Sequence, residues 1–259
     1  MSTFKFKCYQ SLLDSFGKVD AIVECIELAI RDFEKSAKLS DNYKEYILQK
    51  SNEHNVKVND VQFRELRIRS AQLHILNVYQ QFEDYLESFR DEHPDSKDWK
   101  YPKDSKGLFL DILCNLNGDK SIISKAELDI IDYYRLMRNI FMHPEISSTK
   151  YDSKANKIIP LIKEDETLSK LNAPNVYLEL DFDDFILFTR AVKKVAHKLC
   201  IVGRPSNEQI ADTIKKRVNF KKYKDNSKRM KNALLTLCRC EYSMNEKEAT
   251  EIVNILKEA

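Results

Sequence analysis

Glycine is scarce in this sequence. The chain of 259 residues has only four glycines, at positions 17, 107, 118 and 203, and no two of them lie within ten residues of each other. Phosphate-binding loops of the P-loop and dinucleotide-binding types need two or three glycines within about eight residues. The sequence therefore excludes both kinds of loop, and it argues against a turn-rich all-β fold.

Long apolar runs are also missing. No segment approaches the ~18 consecutive apolar residues that a membrane span requires, and residues 1–16 lack the apolar stretch and the cleavage site of a signal peptide. We therefore predict a cytoplasmic protein with no membrane partner, whose six cysteines are free thiols. Cys238 and Cys240 have no second cysteine pair or histidine nearby, so we predict no metal and no cofactor.

Positive charge is concentrated near the C-terminus. The net charge of the chain is only +2, yet residues 204–239 contain eleven Lys or Arg and three Asp or Glu. Such a block attracts phosphates, and Phe220 and Tyr223 offer rings for stacking on unpaired bases. A solvated helix face is the alternative explanation for a run of charge. The predicted substrate-binding residues are Lys215, Lys216, Arg217, Lys221 and Lys222.

Apolar residues repeat at intervals of three and four along most of the chain, as in amphipathic helices. Helices are predicted at 17–39, 43–50, 60–90, 108–116, 124–142, 181–203, 206–218, 227–240 and 245–257. Asn59 or Asp60 is expected to cap the third of these. Pro160 and Pro174 indicate a long loop over 144–180, with a short extended pair at 157–162 and 175–180.

The predicted fold class is therefore all-α. Residues 1–203 are expected to form a helical bundle, and residues 204–259 a small, basic, helical C-terminal appendage. Arg204-Pro205-Ser206 has the composition of a linker between the two.

The helix predicted at 124–142 has one apolar stripe and one polar stripe. The polar stripe includes Arg138 and Asn139, and His143 follows Asn139 by one turn. Imidazole serves as a general acid or base near neutral pH, and a guanidinium stabilises negative charge on a phosphorane. These groups suit RNA cleavage by 2′-hydroxyl attack without a metal, although a polar stripe is also ordinary solvent-facing surface. Asp132 and Arg135 are expected to pair as helix stabilisers, in preference to a role in positioning Arg138.

Regular helix geometry raises an objection to a shared site. At 100° per residue, Arg138 and His143 project about 140° apart. Pro144 disfavours α geometry at His143, so the last turn of the helix can redirect the imidazole.

Arg138-Asn139-Ile140-Phe141-Met142-His143, followed by Pro144, resembles the signature of the HEPN superfamily, in which such a motif ends a bundle helix. The resemblance implies a HEPN-like bundle and a metal-independent endoribonuclease, as in toxins and anti-phage defence proteins. It implies that Arg138 and His143 are catalytic and that Asn139 supports them. It also implies a homodimer with a composite active site, with an antitoxin or a defence-system protein as a candidate partner.

A second interpretation stays open. A catalytically inactive HEPN-like module would bind RNA or a partner protein, and the basic block would then matter more than the motif.

Overall fold

The computed structural model of the chain describes residues 3–58, 62–103, 107–218 and 226–258. Over these residues the chain is helical and contains no strand. Its α-helices are α1 (Lys7–Leu39), α2 (Tyr43–Glu53), α3 (Phe63–Glu92), α4 (Leu108–Asn115), α5 (Lys125–Met142), α6 (Asp152–Ile162), α7 (Phe182–Val202), α8 (Asn207–Arg217), α9 (Ser227–Tyr242) and α10 (Glu246–Glu258). The all-α prediction is confirmed.

No helix in the described ranges combines the length and the apolar character that a membrane crossing demands. The predicted caps Asn59 and Asp60 lie outside the described residues.

The chain divides into two compact units. The terminal unit comprises the described residues of Met1–Asp14, Gln81–Ser124 and Lys193–Ala259. The motif unit, named for the helix that carries Arg138 and His143, comprises those of Ser15–Gln80 and Lys125–Val192. The predicted division into residues 1–203 and 204–259 stays a prediction.

The terminal unit joins the start of the chain to its last three helices. Helix α10 packs against both α8 and α9. Ser206 and Gln209 form a capping box that begins α8, where each side chain bonds the other residue's backbone N–H. The N–H of Lys5 donates to the carbonyl of Tyr242 (2.8 Å), and the Phe4 ring stacks on the Tyr242 ring. The C-terminal helices are thus held by hydrogen bonds and aromatic contacts as well as by each other.

The motif unit is held together by polar contacts around an apolar core. Arg67 of α3 pairs with the buried carboxylate of Glu34 on α1. Gln72 of α3 is buried and donates to the carbonyl of Tyr177 (3.3 Å). Helix α5 packs against α6. These contacts join α1 to α3, α3 to the segment of Tyr177, and α5 to α6.

The predicted start of the first helix at Gly17 is wrong, because α1 begins ten residues earlier, at Lys7. Leu12 and Phe16 are buried, so the spacing of three and four extends upstream of the glycine. A Cβ at Gly17 would meet no atom within 4 Å. The glycine is therefore an exposed helical position, which costs about 1 kcal/mol relative to alanine but does not end a helix of 33 residues.

The predicted extended pair at 157–162 and 175–180 is also wrong. The first segment belongs to α6 and the second contains a 3-10 turn at Tyr177–Glu179. Ala155, Ile158 and Ile162 are buried at helical spacing, and their burial outweighs the breaker at Pro160. Pro160 is exposed and lies near the end of α6, where the loss of one backbone hydrogen bond is tolerated.

Candidate active site

Helix α5 buries the apolar stripe that the sequence predicts. Its members Ile130, Tyr133, Tyr134, Met137 and Ile140 are buried, and Phe141 at the end of the stripe is half-buried. The burial of one face leaves the opposite, polar face of α5 available for chemistry.

Two tyrosines lock the rotation of α5. The Tyr133 hydroxyl donates to the carbonyl of Asn175 (2.6 Å), and the Tyr134 hydroxyl donates to Oδ1 of Asp184 (2.8 Å). The Tyr134 ring also stacks on Phe188 of α7, with 4.8 Å between the ring centroids. Since each contact requires one rotation of the helix, the polar face is held in a single direction.

Asp184 is the buried centre of this arrangement. Its carboxylate is fully buried and accepts hydrogen bonds from the N–H and the side-chain amide of Asn175 and from the N–H of Asp181. Burial raises the pKa of Asp184 to about 7, and the hydrogen bonds from Asn175, Asp181 and Tyr134 oppose that rise. One side chain therefore ties α5, α7 and the segment that contains Asn175 together.

The first part of the polar face carries ion pairs. Asp132 accepts from Arg135 (2.7 Å), as the sequence predicts, and also from Lys154 of α6 (2.5 Å). Burial favours the neutral form of Asp132, but the two cations outweigh it and lower its pKa. Asp132 therefore joins α5 to α6, and its cations are already neutralised.

Arg138 lies at the next turn and is half-buried. Its guanidinium carbon is 5.3 Å from the centroid of the Tyr79 ring, and its Nη1 donates to Oδ1 of Asn139 (3.2 Å). The Nε of Arg138 is buried and has no hydrogen-bond partner among the described residues. The guanidinium is thus oriented by an aromatic ring and an amide, and no carboxylate is paired with it in the described residues.

His143 lies just beyond the C-terminal end of α5 and exposes 54% of its side chain. Its Nδ1 is 3.4 Å from a carboxylate oxygen of Glu145. Its backbone N–H donates to the carbonyl of Asn139 (2.9 Å), which completes a regular α-helical turn. In an ideal helix, positions 138 and 143 project about 140° apart.

The structure therefore brings Arg138 and Asn139 into contact, whereas the His143 imidazole lies beside the carboxylate of Glu145. Such a helix end offers an accessible acid–base group together with a fixed cation.

The predicted basic residues belong to the terminal unit. Lys215, Lys216 and Arg217 form the exposed last turn of α8, where Arg217 pairs with Glu241 (2.8 Å) and also donates to the Tyr242 hydroxyl. Lys228, Arg229 and Lys231 are exposed at the start of α9. Lys221 and Lys222, with the rings of Phe220 and Tyr223, lie outside the described residues.

The thiols of Cys238 and Cys240 lie in different surroundings, since Cys238 is buried and Cys240 is exposed. Burial raises the pKa of Cys238 to about 11, which disfavours the thiolate that a metal requires. In the part of the chain that the structure describes, no three His, Cys, Asp or Glu side chains are grouped to hold a metal ion.

Two residues of this site were not predicted from the sequence. Tyr79 belongs to the apolar stripe of α3, and nothing in the stripe shows that its ring meets Arg138 of another helix. Asp184 lies in the first turn of α7, where an acidic residue is ordinary. Its burial depends on the loop that carries Asn175, which the sequence indicates only as a polar segment.

Searches against protein-family models, curated proteins and solved structures found no match to this chain.

Proposed function

We propose that the protein is a metal-independent endoribonuclease of the HEPN type that cleaves RNA by attack of a 2′-hydroxyl on the adjacent phosphodiester. In this proposal it acts in the cytoplasm as a toxin or an anti-phage defence effector, with an antitoxin or a defence-system protein as its regulator. It uses no cofactor and no metal.

The reaction is a transesterification in which the chain supplies acid–base and charge-stabilising groups. His143 takes the proton from the 2′-hydroxyl or gives one to the departing 5′-oxygen, and water carries the other proton. The 2′-oxygen forms a bond to phosphorus while the bond from phosphorus to the 5′-oxygen breaks. Arg138 stabilises the charge on the phosphorane, and Asn139 orients the Arg138 guanidinium. The products have 2′,3′-cyclic phosphate and 5′-hydroxyl ends.

The observation that carries the proposal is the position of the exposed His143 imidazole at the end of a helix whose opposite face is locked in the core. An exposed histidine without a packing role is available for proton transfer.

The angle between Arg138 and His143 favours a homodimer with a composite site. In an ideal helix the two positions project about 140° apart. If two copies meet near the ends of their α5 helices, Arg138 of one copy can face the imidazole of the other. The proposal therefore assigns the reaction to the dimer.

The test compares cleavage of total RNA in EDTA by the wild-type protein and by His143→Ala. His54→Ala is the matched control, because His54 is an exposed histidine at the end of α2. The proposal expects His143→Ala to lose cleavage and His54→Ala to keep it. Equal cleavage by all three proteins would remove His143 from the reaction and with it the proposal.

A second candidate function is a non-catalytic module that binds RNA. It is favoured by the exposed cations Lys216, Lys228 and Arg229. Neutralising Lys215, Lys216, Lys221 and Lys222 would then abolish RNA binding by a wild-type protein that does not cleave RNA. RNA cleavage by the wild type that is lost in His143→Ala would reject this candidate.

A further inference from the structure

Helix α1 exposes an apolar face within the motif unit. Ile22 is 60% exposed and Leu28 is 69% exposed, and Cys25 lies exposed between them. The buried residues Val23 and Ile30 lie on the opposite side of the helix. Contiguous apolar groups on a protein surface often mark a binding site for another macromolecule.

Similar residue types lie at equal distances in sequence on either side of Cys25. Ala21 and Ala29 lie four residues before and after it, and Ile22 and Leu28 lie three residues before and after it. All four are exposed. At 100° per residue, each of them projects within about 60° of Cys25. The stripe therefore presents the same order of residue types in both directions along the helix.

The charges that bound the stripe are complementary. Lys18 lies seven residues before Cys25 and Asp32 lies seven residues after it, and both are exposed. Seven residues make nearly two full turns, so both charges project within about 20° of Cys25. An antiparallel copy of α1 centred on Cys25 would place Lys18 of each chain at the level of Asp32 of the other. A parallel copy would instead set Lys18 against Lys18.

We infer that this face of α1, bounded by Lys18 and Asp32, pairs with the same face of a second copy in an antiparallel arrangement whose two-fold axis passes near Cys25. The interface is isologous, since each residue meets the counterpart that a two-fold axis requires. The small Ala21 and Ala29 side chains let the two helices approach closely. The stripe covers about 21 Å of helix, so we expect a reversible dimer rather than a permanent one.

The inference goes beyond the proposed nuclease and does not depend on it. It rests on α1, whereas the proposed chemistry rests on α5. Its test measures association of the chains, so a dimer without nuclease activity and a nuclease that pairs through another surface give different results.

The first experiment measures the mass of the full-length protein by sedimentation over protein concentrations from about 1 to about 100 μM. We expect the wild type to dimerise as the concentration rises. Ile22→Asp should dimerise more weakly than the control Leu48→Asp, because Leu48 is similarly exposed (57%) but lies on α2. A monomeric wild type, or equal dimerisation by the two variants, would overturn the inference.

A charge exchange tests the antiparallel register. Lys18→Asp and Asp32→Lys should each weaken dimerisation, because each places like charges at the same level of the pair. The double variant Lys18→Asp, Asp32→Lys should restore it. Failure of the double variant to recover the affinity of the wild type would contradict the proposed pairing.

Cysteine cross-linking locates the two-fold axis. Cys25, Cys114 and Cys240 are the exposed cysteines among the described residues. With Cys114→Ser and Cys240→Ser in place, a short bismaleimide should link two chains through Cys25. The matched protein that keeps Cys240 and carries Cys25→Ser and Cys114→Ser should not cross-link. The opposite result would place the two-fold axis away from α1.

Discussion

Two helices of this protein are followed by the same dipeptide, His-Pro, yet the two histidines have opposite surroundings. His93 follows α3 in the terminal unit and is 6% exposed, whereas His143 follows α5 in the motif unit with 54% of its side chain exposed. Both donate their backbone N–H to the carbonyl four residues earlier, at 3.0 and 2.9 Å. The backbone geometry is therefore shared, and the difference lies in what each imidazole contacts.

The His93 imidazole is fully used in holding the fold. Its Nε2 donates to the carbonyl of Gly203 (3.0 Å), and its Nδ1 accepts from the N–H of Asp95 (3.2 Å). These partners require the neutral ring with the proton on Nε2. The ring also packs on Trp99, with 4.9 Å between centroids. A His-Pro pair at a helix end therefore predicts no chemistry by itself, and the preceding Arg138-Asn139 and the exposure of His143 make the difference.

The largest expected effect separates the two histidines by activity. His143→Ala should lower the rate of RNA cleavage about 10²- to 10⁴-fold, the contribution typical of a general acid or base. His93→Ala should keep the wild-type rate per folded molecule. Initial rates on a fluorescent RNA in EDTA, normalised to the folded fraction, measure both. If the two variants lost activity equally, the contrast between the histidines would be wrong.

The free energy of unfolding should distinguish the two histidines in the opposite way, because here the change at His93 has the larger effect. His93→Ala leaves the carbonyl of Gly203 and the N–H of Asp95 without their partner, so it should lower the free energy of unfolding by about 1–3 kcal/mol. His143→Ala should change the free energy of unfolding by less than about 0.5 kcal/mol, as expected for an exposed side chain. Urea denaturation of both variants gives the two values. A stable His93→Ala protein would show that these hydrogen bonds contribute little.

The pH dependence of stability sharpens the comparison. Burial lowers the pKa of His93 below the value of the unfolded chain, so the unfolded state binds the proton more tightly. The stability that neutral His93 contributes is present above pH 6.5 and is lost as the pH falls below it, by at most about 1.4 kcal/mol per pH unit. Asp184, whose pKa is raised, works in the opposite direction over the same range.

The His93 effect is therefore measured as a difference. Urea denaturation of the wild type and of His93→Gln is compared at several pH values from about 7 down to about 5. The wild type should lose stability more steeply than His93→Gln as the pH falls. Parallel curves would show that His93 does not titrate differently in the folded and unfolded states.

The smallest expected effect concerns the only carboxylate that the described structure pairs with His143. Glu145 is 74% exposed, so Glu145→Ala should change the free energy of unfolding by less than about 0.5 kcal/mol. Urea denaturation at low and high salt tests this. A loss of 2 kcal/mol or more, well above the usual value of about 1 kcal/mol for an exposed pair, would mean that His143 is also a structural residue.

Much of the fold follows from apolar periodicity. The helix predicted at 108–116 is found at Leu108–Asn115, and that predicted at 181–203 is found at Phe182–Val202. The predicted helix boundaries were wrong where a helix-breaking residue was taken to mark the end of a helix. Gly17 lies inside α1 and Pro160 lies inside α6, because burial of neighbouring residues outweighs a local preference.

The candidate site was less predictable than the helix that carries it. The sequence places Arg138, Asn139 and His143 at the end of α5, since these positions depend only on helical spacing. The contact of Arg138 with Tyr79 and the buried partners of Asp184 depend on how separate helices pack, which one sequence does not specify. The burial of His93 and the exposure of His143 likewise depend on how separate helices pack.

The most direct test of the proposed chemistry is the identity of the RNA ends that the wild-type protein produces in EDTA, determined by mass spectrometry. The account predicts 2′,3′-cyclic phosphate and 5′-hydroxyl ends, which are absent from the products of His143→Ala. Products with 5′-phosphate ends, or no cleavage by the wild type, would contradict it.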